Sequence, residues 1–427
     1  MVAAYIMIAI YGKAGFAPDL PGLVQMETSA GGCQSGTGIT GETMTAPVLF
    51  QEKPLTNQGR YGIATLNQPA KLNSLSLEMC QLLTEQLTLW EQDPAIAFVI
   101  FEGAGEKAFC AGGDLHQLYT SMQQYAGKPA ADNVYAAQFF DVEYRLDYQI
   151  HTYSKPIICW GHGVVMGGGI GLMAGTSHRV VSESSRLAMP EVTIGLFPDV
   201  GGSWDLNHLA GRIGRFLAAT GAILNAADSL FTGMADYCVR HADWSAIIAD
   251  LERIDGTHIA DRRQLDQRIH DVLAQHSAAA TLDPGPLQTH YALLTALCAN
   301  RDVVSLYRAF AALADHADPW LARAAQTMLK GAPLSVALGL TLQERALHLS
   351  LAQVFQLEYK VALNCCAHGQ LQEGIRALLI DKDKNPQWQP ATIEQITPAD
   401  IDALLSSPWQ NASDNPLASL GQGGLVQ

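Results

Sequence analysis

The sequence predicts an α/β core followed by a mainly helical C-terminal region, and three observations lead there. Short apolar runs of strand length alternate with glycine-dense turns and helix-period stretches from Val48 to about Tyr237. Strand signals then fade, and residues 241–380 are rich in Ala, Leu, Gln and Arg at helical spacing. The residues ahead of Val48 follow neither pattern. The chain is accordingly divided into a disordered or mis-assigned extension (1–45), a core (46–240), a helical region (241–412) and a polar, glycine-rich tail expected to fray (413–427).

In the extension, Val2 to Tyr11 is apolar but no Lys or Arg precedes it, so the leader pattern is incomplete. Gly31 to Gly41 has the composition of a flexible linker, and the true start is expected at Met26 or Met44. Tyr61–Leu66 alternates as a strand does. Ser74–Glu91 carries Leu75, Met79, Leu82, Leu83, Leu87 and Trp90 at helical spacing. Phe98–Phe101 reads as a short buried strand that runs into a glycine turn ending at Asp114. Phe139–Ile150 reads as a helix with Glu143 inside it. Ile157–Trp160 is the next buried strand, and a dense glycine turn follows it. A helix is expected over about 167–175, a strand over 179–182, and a loop bearing Glu191 and Asp199. Gly214–Thr220 begins a further helix, Leu342–Cys366 reads as one last long helix, and Ile375–Ile380 is a short apolar segment.

The 427 residues are 48% hydrophobic and 16% charged, which is globular composition, and the net charge is −15. That charge argues against a broad nucleic-acid surface, though helix N-termini and a few lysines can still hold a phosphorylated small ligand. No apolar stretch reaches the ~18 residues of a membrane span. Eight scattered cysteines without a CxxC pair indicate reduced thiols in an intracellular protein.

Several motifs have bland explanations. Gly103-Ala104-Gly105-Glu106-Lys107-Ala108 fits a dinucleotide pattern, but a second glycine turn replaces the long helix that should follow, and no ribose-binding acid appears. Ser203 fails the nucleophile-elbow pattern at its last position. His116, His162, His178 and the Cys365/Cys366/His368 cluster lack metal-ligand spacing. Two strand-plus-glycine turns remain, with backbone N–H groups free to meet a developing negative charge. Glu191 and Asp199 also remain, in apolar surroundings that can raise a carboxyl pKa.

AFCAGGDL (108–115), HGVVMGGGIGL (162–172) and MPEVTIGLFPDVGG (189–202) together resemble the enoyl-CoA hydratase/isomerase, or crotonase, superfamily. FFDVEYRLDYQI (139–150) and LEYKVALNCCAHGQLQEGIRALLIDKDKNPQW (357–388) resemble its 3-hydroxyisobutyryl-CoA hydrolase group. The resemblance spans about Val48 to Leu405. It implies a spiral of ββα turns with a helical C-terminal region. It also implies hydrolysis of a short 3-hydroxyacyl-CoA thioester, most closely 3-hydroxyisobutyryl-CoA, a step of valine catabolism.

By position, the resemblance makes Gly113 and Gly168 the oxyanion-hole donors and Glu191 the nucleophile or general base. Asp199 would position water or shuttle a proton, and Glu143 would contact the substrate; Gly168, Glu191 and Asp199 would contact it too. Typical hydratases carry a second catalytic glutamate at the position of Gly171, so hydration is the weaker alternative, with isomerisation by one acid beside it. A non-catalytic binding protein and a dehydrogenase rank lower. No metal or redox cofactor is implied, since coenzyme A is part of the substrate. Lys71 and Lys155 are candidates for its phosphates. Neither nucleic acid nor membrane is an expected partner, homo-oligomerisation is left open, and a bacterial cytoplasm is the expected location, or a mitochondrial matrix for a eukaryotic source.

Overall fold

The computed structural model describes residues 46–258 and 261–422. The expected extension 1–45 lies outside the described residues, as do 423–427 of the tail. Strands β1 (Val48–Pro54) and β2 (Arg60–Leu66) form an antiparallel hairpin that pairs Val48 with Leu66. Three strand pairs follow: β3 (Ile96–Gly103) with β4 (Ala108–Cys110), β5 (Ile157–Gly161) with β6 (Val164–Met166), and β7 (His178–Ser182) with β8 (Arg186–Ala188). The first strand of each pair joins a six-stranded sheet, ordered β1-β2-β3-β5-β7-β9 and closed by β9 (Tyr237–Val239). The second joins a three-stranded sheet, β4-β6-β8. Every pairing of one strand with another after the first hairpin is parallel. The chain therefore winds as a spiral of ββα turns, as the resemblance implies.

The strands of the large sheet read as continuous apolar runs because both faces are covered. Phe98, Ile100, Ile158, Trp160 and Val180 face one way, against Ile247, Leu251 and Ile269 of the Trp244–Glu252 and Arg262–Gln275 helices. Val99, Phe101, Ile157, Cys159 and Val181 alternate with them and enter the main core. The first helices of the 241–412 region thus form one wall of the α/β core.

Capping residues set the helix boundaries. Ser76 accepts from the Met79 amide at 3.2 Å and opens the Leu77–Gln92 helix. Asn133 accepts from Ala136 at 3.1 Å and opens Val134–His151, one turn earlier than apolar spacing suggests. The single helix expected over 342–366 is two, Pro333–Ala346 and Leu351–His368. Ser350 breaks it by forming a reciprocal capping box with Gln353. The segment expected to fray from Ser413 is anchored as far as it is described. Leu417 is fully buried, and Arg145 donates to the Pro416 carbonyl at 2.6 Å. Strands β4 and β6 lie in stretches that read as glycine turns, and β8 in the stretch that reads as the loop bearing Glu191 and Asp199, since three residues are too few to show alternation. Among the described residues no helix is long and apolar enough to cross a membrane.

Candidate active site

The short sheet gathers the site. Its strands are adjacent and parallel, so their C-terminal ends open on one place. Past β4 comes Gly113. Past β6 comes Gly167, and then the Gly168–Ala174 helix. Past β8 comes a single helical turn that starts at Glu191. A cleft of about 650 Å³, counting the solvent at its mouth, is lined by Gly113, Glu143, Gly168, Glu191 and Asp199, with Phe139, Leu118 and Ile194 among its apolar walls.

The two glycine amides meet there. A methyl group placed on Gly168 would sit 3.8 Å from the Gly113 nitrogen and 2.7 Å from Glu143 Oε1. Gly168 begins its helix, so its N–H has no partner one turn back. Around Gly113, the bridge to Leu75 uses the Gly112 carbonyl and the Asp114 amide, and leaves the Gly113 N–H without an acceptor among the described residues. Two unspent donors at the end of a parallel sheet, one of them at a helix start, suit a developing oxyanion. Gly167 turns the chain into the helix at φ 49°, and a methyl there would sit 2.9 Å from Glu191 Oε1. The Glu191 carboxyl thus lies against the same turn.

Three acids meet in this cleft from separate segments. Glu191 is buried, and its Oε2 has no partner among the described residues. Burial pushes its pKa well above the usual carboxylate range, and Asp199 adds repulsion. Glu143, inside the Val134–His151 helix, is pushed up well above that range by burial and then by Asp199. Asp199 is raised by burial to about 6, and the rise is limited by the Tyr144 hydroxyl, which donates to Oδ2 at 2.6 Å.

The loop after Asp199 is held from the C-terminal region. Glu358 of the Leu351–His368 helix accepts from the Gly201 amide at 2.8 Å and the Ser203 amide at 2.9 Å. Val200, between Asp199 and Gly201, is held at φ 52°, a costly conformation for a β-branched residue. Reading along the chain missed Tyr144 and Glu358 as parts of this site. The one available signal was a buried-pattern acid inside an otherwise apolar helix face.

Other candidates fall elsewhere. The Lys155 ammonium donates to the Trp90 and Asp93 carbonyls at 2.5 Å each, just ahead of β5. It caps the end of the Leu77–Gln92 helix there, and this corrects its expected role as a phosphate ligand. Lys71 is 54% exposed and 3.2 Å from Asp114, which caps the Leu115–Gln124 helix beside Gly113. Ser203 is a buried turn residue capped by Glu358. His162 stacks on Trp160 and bonds the Gly105 carbonyl, and His178 stacks on Tyr237. Among the described residues no group of three or more His, Cys, Asp or Glu could hold a metal ion, and the seven described cysteines are buried and unpaired.

The site's crowding at Gly171 separates it from a two-glutamate arrangement. A Cβ there would meet Val200 Cβ at 2.8 Å and the two oxygens of Asp147 at 2.9 and 3.0 Å. Position 171 has no room for a second glutamate.

The family model for enoyl-CoA hydratase/isomerase matches residues 61–405. A protein of Gallus gallus named 3-hydroxyisobutyryl-CoA hydrolase, mitochondrial, is 35% identical over 360 residues, 84% of this chain and 88% of its own length. Its namesake in Homo sapiens is 32% identical over 354 residues, 82% of this chain and 87% of its own. Among solved structures, an enoyl-CoA hydratase from Rhodobacter sphaeroides 2.4.1 superposes with a TM-score of 0.71 at 32% identity, covering 85% of this chain and 98% of that one. A carnitinyl-CoA dehydratase from Mycobacterium thermoresistibile gives 0.72 at 33%, covering 85% and 97%. With the spiral of ββα turns and the paired glycine amides at its mouth, the chain belongs to the enoyl-CoA hydratase/isomerase family.

Proposed function

We propose that this chain hydrolyses a short 3-hydroxyacyl-CoA thioester, with 3-hydroxyisobutyryl-CoA as the expected substrate and 3-hydroxyisobutyrate and CoA as products. The carrying observation is the pairing of the free Gly113 and Gly168 amides beside Glu191, with position 171 closed to a second glutamate. The names of the relatives point to the same substrate.

The thioester carbonyl oxygen accepts from the two amides, and charge that builds on it is stabilised by donors already in place. Removing one such donor in other enzymes costs about 3 kcal/mol. Glu191 then either attacks the carbonyl carbon, forming an anhydride that water opens, or takes a proton from the attacking water. The C–S bond breaks, a C–O bond forms, and the sulfur leaves with one proton of the water. Asp199, steadied by Tyr144, carries a proton to the sulfur or positions the water. Glu143, against Gly168, binds the 3-hydroxy group. Lys71, exposed beside Asp114, is the remaining candidate for a CoA phosphate.

Thiol release from 3-hydroxyisobutyryl-CoA, 3-hydroxypropionyl-CoA and crotonyl-CoA tests this, with wild type and Glu191→Gln side by side. Rapid release from the 3-hydroxy esters is expected, reduced about 10³-fold or more in the variant. No thiol release, with the enoyl absorbance of crotonyl-CoA changing instead, would place the chain with the hydratases and isomerases.

A further inference from the structure

The hydrolysis leaves a proton unaccounted for. At neutral pH the thioester and one water become a carboxylate, a thiol and one H⁺, and that proton forms in a cleft lined by buried acids. The Val134–His151 helix offers it a way out. Glu143, Asp147 and His151 lie one turn apart on a single face of this helix. That face packs on the Gly168–Ala174 helix and on Gly175 just past its end, where three glycines meet the three side chains in step. A methyl on Gly168 would sit 2.7 Å from Glu143 Oε1, one on Gly171 2.9 Å from Asp147, and one on Gly175 2.7 Å from the His151 ring.

Glycine stripes often serve close packing alone, but here the opposing side chains are titratable and unspent. Asp147 is fully buried, and neither of its oxygens has a hydrogen-bond partner among the described residues; His151 Nε2 is in the same state. A buried ionised carboxyl without a partner is prohibitively costly, so Asp147 carries its proton at rest. Glu143 lines the cleft, Asp147 does not, and His151 is partly exposed.

We propose that Glu143, Asp147 and His151 form a proton path from the thioester site to the surface along this helix face. The inference rests on the hydrolase reading. Glu143, itself held neutral by burial, receives the product's proton on one carboxyl oxygen and releases its own from the other. Asp147 receives a proton on one oxygen and releases its own from the other. His151 accepts at one ring nitrogen and gives up at the other, to water. No bond other than O–H and N–H changes, and no electrons are transferred. Successive Cβ atoms on such a face are about 5–6 Å apart, a gap that rotation of the carboxyl and imidazole side chains has to close.

The surroundings keep Asp147 in its neutral form, so it passes a proton only in a concerted step, one arriving on one oxygen as the other releases its own. Asp147 faces Glu143 on its own helix, Asp199 and Asp205 from the following loop, and Glu358 from the C-terminal helix. Cys80 and Cys110 also face it, from the Leu77–Gln92 helix and β4. All are acids or thiols, so no cation holds the carboxylate ionised. Burial lowers the His151 pKa to about 4, with Arg179 of β7 adding to it, so the imidazole does not retain the proton at neutral pH.

The test compares wild type, Asp147→Asn and His151→Gln in thiol release from 3-hydroxyisobutyryl-CoA, read both as a first-turnover burst and at steady state. Blocking the path should leave the burst intact, with one thiol per site and an unchanged kcat/KM. The later rate should fall about tenfold or more at low buffer. Added imidazole should restore it, most fully in His151→Gln. A merely structural role would slow burst and steady state together and give no buffer rescue. That result, or wild-type steady-state rates in both variants, overturns the path. If Asp147→Asn does not fold, His151→Gln decides alone. Absence of thiol release from wild type overturns the hydrolase reading, and the path with it.

Discussion

Two groups of acids in this chain stand in opposite settings. Around the cleft, Glu143, Asp147, Glu191 and Asp199 are buried; burial pushes all four upward, and repulsion from neighbouring acids adds to it for Glu143, Asp147 and Glu191. Near the C-terminus, Glu373, Asp381 and Asp383 surround one guanidinium. Arg376 reaches them at 2.8, 2.6 and 2.7 Å. That contact holds Glu373 and Asp383 below the usual carboxylate range. The same side-chain chemistry is poised to exchange protons in the first place and clips the chain together in the second. What differs is water and a cation: Arg376 stands three residues from Glu373 in the chain, whereas the burial of the cleft acids is set by distant segments.

Variants can break this contrast from either side. The largest effect is expected from Gly168→Ala. Its methyl would push into Glu143 and crowd the Gly113 amide, so thiol release should fall about 10²–10³-fold with the protein still folded. A rise in KM alone would show that the amides bind substrate without stabilising the reaction.

Next is stability in Glu191→Gln. The folded pKa of Glu191 is raised, so its neutral form favours the fold at low pH, and that benefit is lost as pH rises through the folded value. The amide cannot ionise. Thermal melts should show the variant gaining on wild type from pH 5 to 9, by about 1–3 kcal/mol at the top. A constant difference would mean that Glu191 is not strained.

Tyr144→Phe is expected to act more mildly. Without its hydroxyl, Asp199 loses the hydrogen bond that opposes the rise toward about 6. Whichever limb of the pH–rate profile reports Asp199 should move to higher pH, with severalfold changes near pH 6. An unmoved profile would remove Asp199 from the chemistry.

The smallest effect belongs to Arg376→Ala. The pKa values of Glu373 and Asp383 are lowered, so their contribution is present above the usual carboxylate range and fades as pH falls through the folded values. Partly exposed pairs of this kind are worth up to about 1 kcal/mol. The melting difference should be small at pH 7 and close in acid, opposite in sign to that of Glu191→Gln.

Much of this was legible in the chain. Gly113, Gly168, Glu143, Glu191 and Asp199 were all singled out as residues, and the structure brings all five to one cleft. Lys155 was misplaced because a lysine just before a strand looks the same whether its ammonium meets a ligand or a helix end. Asp147 and His151 were passed over because they sit in a helix whose apolar spacing accounts for it. Their burial follows from the glycine face that opposes them. The break between Ala346 and Leu351 was readable in principle from Ser350 and Gln353, but the apolar period on either side concealed it.

The sequence by itself determined what depends on near neighbours: which stretches are strands or helices, where caps and glycine turns fall, and which acids lie in apolar company. These follow from backbone sterics and from periods of two and 3.6 residues. Only the tertiary structure decided that β4, β6 and β8 stand side by side, and so that Gly113, Gly168 and Glu191 face one point. It alone set Asp147 against Gly171, Tyr144 on Asp199, and Glu358 under the loop that follows. A carboxyl's proton affinity depends on the charges, donors and water within a few ångströms. Here those come from segments up to about two hundred residues away, and local periodicity records that a side chain is buried but not what it is buried against.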